Sequence, residues 1–122
     1  KGFYGLAEFP AAGLRSTAAD LARFLQAFTG ASNPLMSDAS VAEMLPSNFE
    51  RGLAWWGRDA TYGDRRGDVW THGGCMSGVR TQIYLYPELR AGAIILTNSE
   101  EGYDRIEKAF RTALFKLGSL SA

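Results

Sequence analysis

One cysteine, one histidine and no net charge are the first features of this 122-residue chain. A lone cysteine excludes an internal disulfide and leaves the redox compartment open. Thirteen basic residues cancel thirteen acidic ones without clustering, which argues against nucleic acid or an anionic membrane as the partner. No apolar run approaches membrane-spanning length, and no basic segment leads into an apolar one, so neither a transmembrane helix nor a secretory leader is expected. His72 and Cys75 without further ligands do not complete a tetrahedral site. No metal and no cofactor is therefore expected. The chain opens on Lys1 rather than Met, as a processed product or a piece of something longer would.

What is present suits a soluble globular chain: 46% apolar and 21% charged residues, enough for one core and one domain or part of one. Residues 1–13 are glycine-rich and aromatic and read as an irregular, closely packed approach segment. The spacing then predicts a helix from about residue 17 to 28. Thr17 opens a capping box with Asp20 (Ser16 competes), Ala18, Leu21, Ala22, Leu25 and Phe28 form the apolar stripe, and Gly30 ends it as a residue tolerant of left-handed dihedrals. A shorter helix fits residues 38–45, with Ser37 as cap, Val41, Met44 and Leu45 inward and Pro46 as stop. Residues 51–59 have strand-like content, and adjacent Trp55 and Trp56 must point to opposite faces. Residues 62–67 read as a polar turn. Residues 91–97 form a short apolar run, the pattern of a strand covered on both faces. A final helix over about 103–117 carries Tyr103, Ile106, Phe110, Ala113, Leu114 and Leu117 on one stripe, with Asn98 or Ser99 as its cap and Gly118 at its end.

The centre of interest is Asp68-Val-Trp-Thr-His-Gly-Gly-Cys-Met-Ser-Gly78. β-branched and aromatic residues lead to His72, and two glycines follow it. Beyond Gly78 the chain alternates, with Val79, Thr81, Ile83 and Leu85 on one face and Arg80, Gln82, Tyr84 and Tyr86 on the other. Gly73 and Gly74 let another group approach the main chain closely. Their N–H groups can donate to a developing oxyanion, or the pair can simply bend the strand. His72 alone reads more readily as a structural or surface residue than as a catalytic one, and the glycines beside it raise the functional reading. Cys75 as nucleophile needs an activating partner that the spacing does not guarantee, so a small buried thiol is expected. Short connections favour antiparallel pairing. The fold class is thus α+β, an antiparallel sheet of three to four strands flanked by helices.

The segment Pro10-Ala-Ala-Gly-Leu-Arg-Ser-Thr-Ala-Ala-Asp-Leu-Ala-Arg-Phe-Leu25, with Leu35-Met-Ser, Gly52-Leu-Ala-Trp-Trp-Gly, Trp70-Thr-His-Gly-Gly, Gly78-Val-Arg-Thr-Gln and Ile95-Leu-Thr-Asn-Ser99, resembles the serine β-lactamase-like hydrolases. These comprise class C β-lactamases, penicillin-binding D,D-peptidases and related esterases and D-aminopeptidases. The likeness covers nearly the whole chain, in order. It implies the C-terminal portion of a β-lactamase/transpeptidase-like fold, residues 1–122 being a single partial domain. It aligns His72-Gly73-Gly74 with the family's Lys-Thr-Gly-like triplet. It makes His72 a substrate-carboxylate or proton-relay group, Gly73 and Gly74 substrate-binding, and the Cys75 N–H an oxyanion donor. No serine here is followed three residues on by lysine, and no tyrosine by x-Asn, the motifs that supply nucleophile and base. Acyl-enzyme chemistry on an amide or ester needs both. The resemblance therefore implies a wall of a cleft rather than a whole one, inactive alone. The implied partners are the missing N-terminal part of the same enzyme, or a second copy, and a small-molecule or peptide substrate. His in place of Lys tilts towards an esterase or peptidase. The alternative is a non-catalytic binding or oligomerisation module that keeps the fold.

Overall fold

The computed structural model describes residues 13–30, 33–46, 51–62 and 65–120. The expected approach segment lies outside them except for Gly13. Helix α1 spans Ala18–Thr29 and α2 Asp38–Met44, followed by strands β1 (Trp56–Tyr62), β2 (Arg65–Met76), β3 (Val79–Tyr86) and β4 (Ala91–Thr97), and then α3 (Tyr103–Leu120). The four strands form one antiparallel sheet in the order β1-β2-β3-β4. The expected α+β class is the observed one.

Each helix start follows from local chemistry. The Thr17 hydroxyl accepts from the Asp20 N–H, and Ser37 does the same for Ser40. At the other end of α1, Gly30 is extended (φ −72°) rather than left-handed, and the guanidinium of Arg90 donates to the Thr29 carbonyl at 3.1 Å. A tertiary cation caps this helix where a left-handed glycine was expected. α3 begins at Tyr103 as expected, but neither Asn98 nor Ser99 caps it. The Gly102 carbonyl accepts from the Ile106 N–H, and Ser99 bonds locally to Glu101. The helix also continues through Gly118 to Leu120. Helix interiors tolerate one glycine at about 1 kcal/mol.

The sheet is the middle of three layers. On one side Leu25, with Phe24 and Phe28 of α1 and Met44 beside α2's end, packs on Trp55, Trp70, Leu85, Ile83 and Ile94. On the other, Tyr103 and Phe110 of α3 pack on Val69, Tyr84, Tyr86, Ala93 and Ile95. Both faces of β3 are therefore buried near residues 84–86. Within α1, Ala27 is buried while Ala18 is exposed, so the stripe is shifted from the expected one. On α3, Ile106 and Ala113 face out rather than in.

β1 starts later than expected. Residues 51–55 form a turn, closed by the Gly52 N–H on the Trp55 carbonyl and the Leu53 N–H on the Met44 carbonyl. Only then does the chain enter the ladder. At the far end β1 and β2 pair out to Tyr62 and Arg65, so the expected 62–67 turn is mostly strand. Trp55 is buried and Trp56 half exposed, although Trp55 lies in the turn before the strand rather than in the pleat. The Arg51 guanidinium lies 4.4 Å from the centroid of the Trp56 ring. β4, whose composition read as a strand covered on both faces, is an edge strand of the described sheet.

Candidate functional site

β2 is longer than the strand beside it. β1 pairs with β2 only from Arg65 to Thr71, whereas β2 has 12 residues and continues to Met76. Among the described residues, 72–76 therefore pair on one side only, with β3. All the residues singled out from the sequence (His72, Gly73, Gly74 and Cys75) lie in this overhang.

The orientation of the overhang follows from its hairpin. Met76 pairs with Val79 across Ser77 and Gly78, and Gly78 takes a left-handed φ of 76°. A two-residue hairpin closes on a hydrogen-bonded pair, and such pairs alternate with non-bonded ones. The next pair, Cys75 and Arg80, thus directs its main-chain groups outward. The Arg80 carbonyl bears this out, accepting from the Thr97 hydroxyl on the β4 side at 3.0 Å. By the same alternation the Cys75 and Gly73 N–H groups point to the side on which β1 has ended.

Side chains alternate on the same strand. Trp70 belongs to the α1-side core, so His72 and Gly74 face that side, beyond the reach of α1. His72 is exposed and stands opposite Ile83. Thr71, Gly73 and Cys75 face the α3 side. His72 and Cys75 thus project to opposite faces of a continuous strand, their Cα atoms roughly 10 Å apart. A Cys–His pair is excluded by that geometry. Cys75 is exposed, not the buried thiol expected, because α3 covers residues 84–86 of β3 but not the hairpin end.

The glycines have a cross-strand reason as well. A β-carbon on Gly74 would sit 2.6 Å from the Thr81 hydroxyl, and one on Gly73 would overlap the Gln82 side chain. Close approach was expected at this pair; β3's own side chains make it, while both glycines stay exposed to solvent. The register that reveals this, 74 opposite 81 and 73 opposite 82, could be counted back from the Ser77–Gly78 turn.

Sequence reading connects Glu100 with the start of the last helix, not with the hairpin it reaches. One of its carboxylate oxygens accepts from the Gly78 N–H at 2.6 Å and the other is 3.8 Å from the Arg80 guanidinium. Its separation of 22 residues from Gly78 leaves no local signal.

The model of the family described as Beta-lactamase matches residues 1–116. The chain belongs to the beta-lactamase family. No curated protein and no solved structure matches it. Membership in this serine-hydrolase family fits the three-layer arrangement with one strand end left open. Among the described residues of this beta-lactamase-family chain, no helix is long and apolar enough to cross a membrane. Nor do three or more His, Cys, Asp or Glu side chains among them group as a metal site would require.

Proposed function

We propose that this chain, a single partial domain, forms one wall of an acyl-transfer cleft whose nucleophilic serine and base come from polypeptide outside these 122 residues. The observation that carries the reading is the edge of β2 at residues 72–76, which no described strand pairs with, and the Cys75 N–H directed into it. Hydrolysis of an amide or ester passes through a tetrahedral oxyanion, and preorganised N–H donors stabilise it most where water is excluded. The Cys75 N–H supplies one donor, and the nucleophilic serine's own N–H the other. Gly73 and Gly74 keep the edge free of side chains, so a substrate can lie against the main chain. His72, exposed on the adjoining face, binds a substrate carboxylate or relays a proton. The imidazole in place of a lysine favours an esterase or D,D-peptidase substrate over a lactam within the class C β-lactamase and penicillin-binding group.

The test separates the N–H from the thiol. With the chain joined to a segment carrying Ser-x-x-Lys, Cys75→Ala retains activity, because it keeps the N–H. Cys75→Pro removes that donor at a position where no ladder bond is lost, and should lower kcat by about 10²–10³-fold. Equal activity in the two variants would remove Cys75 from the oxyanion site. The 122-residue chain alone should take no label from a fluorophosphonate, and a discrete acylated serine in it overturns the divided cleft.

A second reading, a non-catalytic association module, draws on β4. This edge strand carries no charged residue, and its Leu96 is 43% exposed. An uncharged edge invites strand pairing, so the partner in either reading is the remainder of the enzyme or a second copy.

A further inference from the structure

The corner of the sheet that carries the Ser77–Gly78 turn is held from outside the hairpin. Gly78 is left-handed, and its N–H donates to Glu100, in the loop between β4 and α3. The same carboxylate reaches the Arg80 side chain, while the single Thr97 hydroxyl proton is shared between the Arg80 and Ser99 carbonyls. Arg80 is the residue opposite Cys75. On the other side of the last hairpin pairs, the pairing with β1 has already ended at Thr71, so no described strand supports them there. The turn and its tether are thus what fixes the last two pairs.

We infer that Glu100 is a positioning residue that holds the Cys75 main chain in register through the Gly78 turn. Its catalytic consequence rests on the proposed oxyanion role of Cys75; the tether itself does not. Residue-resolved hydrogen exchange on the 122-residue chain tests it directly. Glu100→Ala should speed exchange of the Met76 and Val79 amides about tenfold and shift the Cys75 amide resonance, leaving Tyr84 and Ile95 unchanged. Glu100→Gln keeps an acceptor for the Gly78 N–H and should stay within about twofold of wild type. Unchanged Met76, Val79 and Cys75 signals in Glu100→Ala overturn the inference. So does equal acceleration at Tyr84 and Ile95, which would mark a general loss of stability. In the chain joined to its nucleophile, Glu100→Ala should lower kcat with KM within about twofold. A loosened hairpin with unchanged kcat overturns the positioning role while keeping the tether, and so points to the oxyanion assignment as the part that fails.

Discussion

Gly52→Ala is the sharpest test of how the floor beneath the candidate site is built. Gly52 lies in the turn between α2 and β1, where a β-carbon would overlap the Met44 carbonyl oxygen and sit 3.2 Å from the Trp70 ring. Neither neighbour yields readily. The Met44 carbonyl accepts from the Leu53 N–H at 2.9 Å, and Trp70 is 1% exposed, packed between Leu25 and Leu85. Overpacking costs about 1–3 kcal/mol and a displaced hydrogen bond about 1 kcal/mol. Restricting the unfolded chain returns about 0.5–1 kcal/mol, which leaves a net destabilisation of about 1–3.5 kcal/mol. At about 4 °C per kcal/mol for a chain of this size, Tm should fall by about 4–14 °C. Urea titration followed by circular dichroism should show a lower midpoint with an unchanged slope. Gly102→Ala is the control: φ is 78° and nothing lies within 4 Å, so only the backbone term remains, about 1 kcal/mol. The argument fails if Gly52→Ala falls within about 0.5 kcal/mol of wild type, or if Gly102→Ala is the costlier of the two.

Leu25→Ala should cost about 2–5 kcal/mol by denaturant titration, since Leu25 is the buried contact of α1 with Trp55, Trp70 and Leu85. His72→Ala should change stability by less than about 0.5 kcal/mol, because the imidazole is exposed, while Trp70→Ala two residues earlier costs about 3–5 kcal/mol. Burial pushes the Tyr86 hydroxyl up to about 12, and burial with the Glu107 carboxylate raises Tyr84 further. Both phenols are held neutral in the fold but ionise near pH 10 when unfolded. Their contribution is whole below pH 10 and is lost as pH rises towards 12, so phenolate absorbance from these two should appear together with unfolding. Leu96→Lys should reduce self-association of the chain in light scattering if the β4 edge pairs.

The sequence revealed elements with local determinants and obscured features set across the sheet. α1 and α2 begin within a residue of expectation because Thr17 and Ser37 announce themselves as caps. The alternation of β3, with Ile83 and Leu85 in one core cluster and Tyr84 and Tyr86 in the other, follows from the pleat alone. Gly30, by contrast, needed no left-handed turn because Arg90 arrives from 61 residues away to cap α1. Asn98 and Ser99 did not cap α3, because the loop spends five residues after Thr97 reaching past the hairpin before the helix starts at Tyr103. Cys75 was expected inside because cysteine is usually buried. Where α3 stops covering β3 depends on packing that no short window contains.

The site is legible for a reason that separates it from the core. Residues 72–76 combine three properties that usually exclude one another: a strand conformation, a main-chain edge that no described strand pairs with, and two consecutive residues without side chains. An exposed strand edge is ordinarily blunted by charge, proline or a covering loop. Here two charged groups at the hairpin end, Arg80 and Glu100, belong to β3 and the loop beyond β4, and they brace the turn rather than guard the edge. Two glycines on an open edge weaken the hairpin. That weakness is consistent with an edge kept free for a group that must reach the backbone itself. A strand made only to complete a sheet would place β-branched residues at 73 and 74, with cross-strand partners shaped to admit them. Such a replacement, Gly73→Val with Gly74→Val, should therefore abolish acyl transfer in the chain joined to its nucleophile, even if Gln82 and Thr81 shift to admit the new side chains and the sheet remains folded. Full activity with a folded double variant would show that the edge serves nothing but the turn.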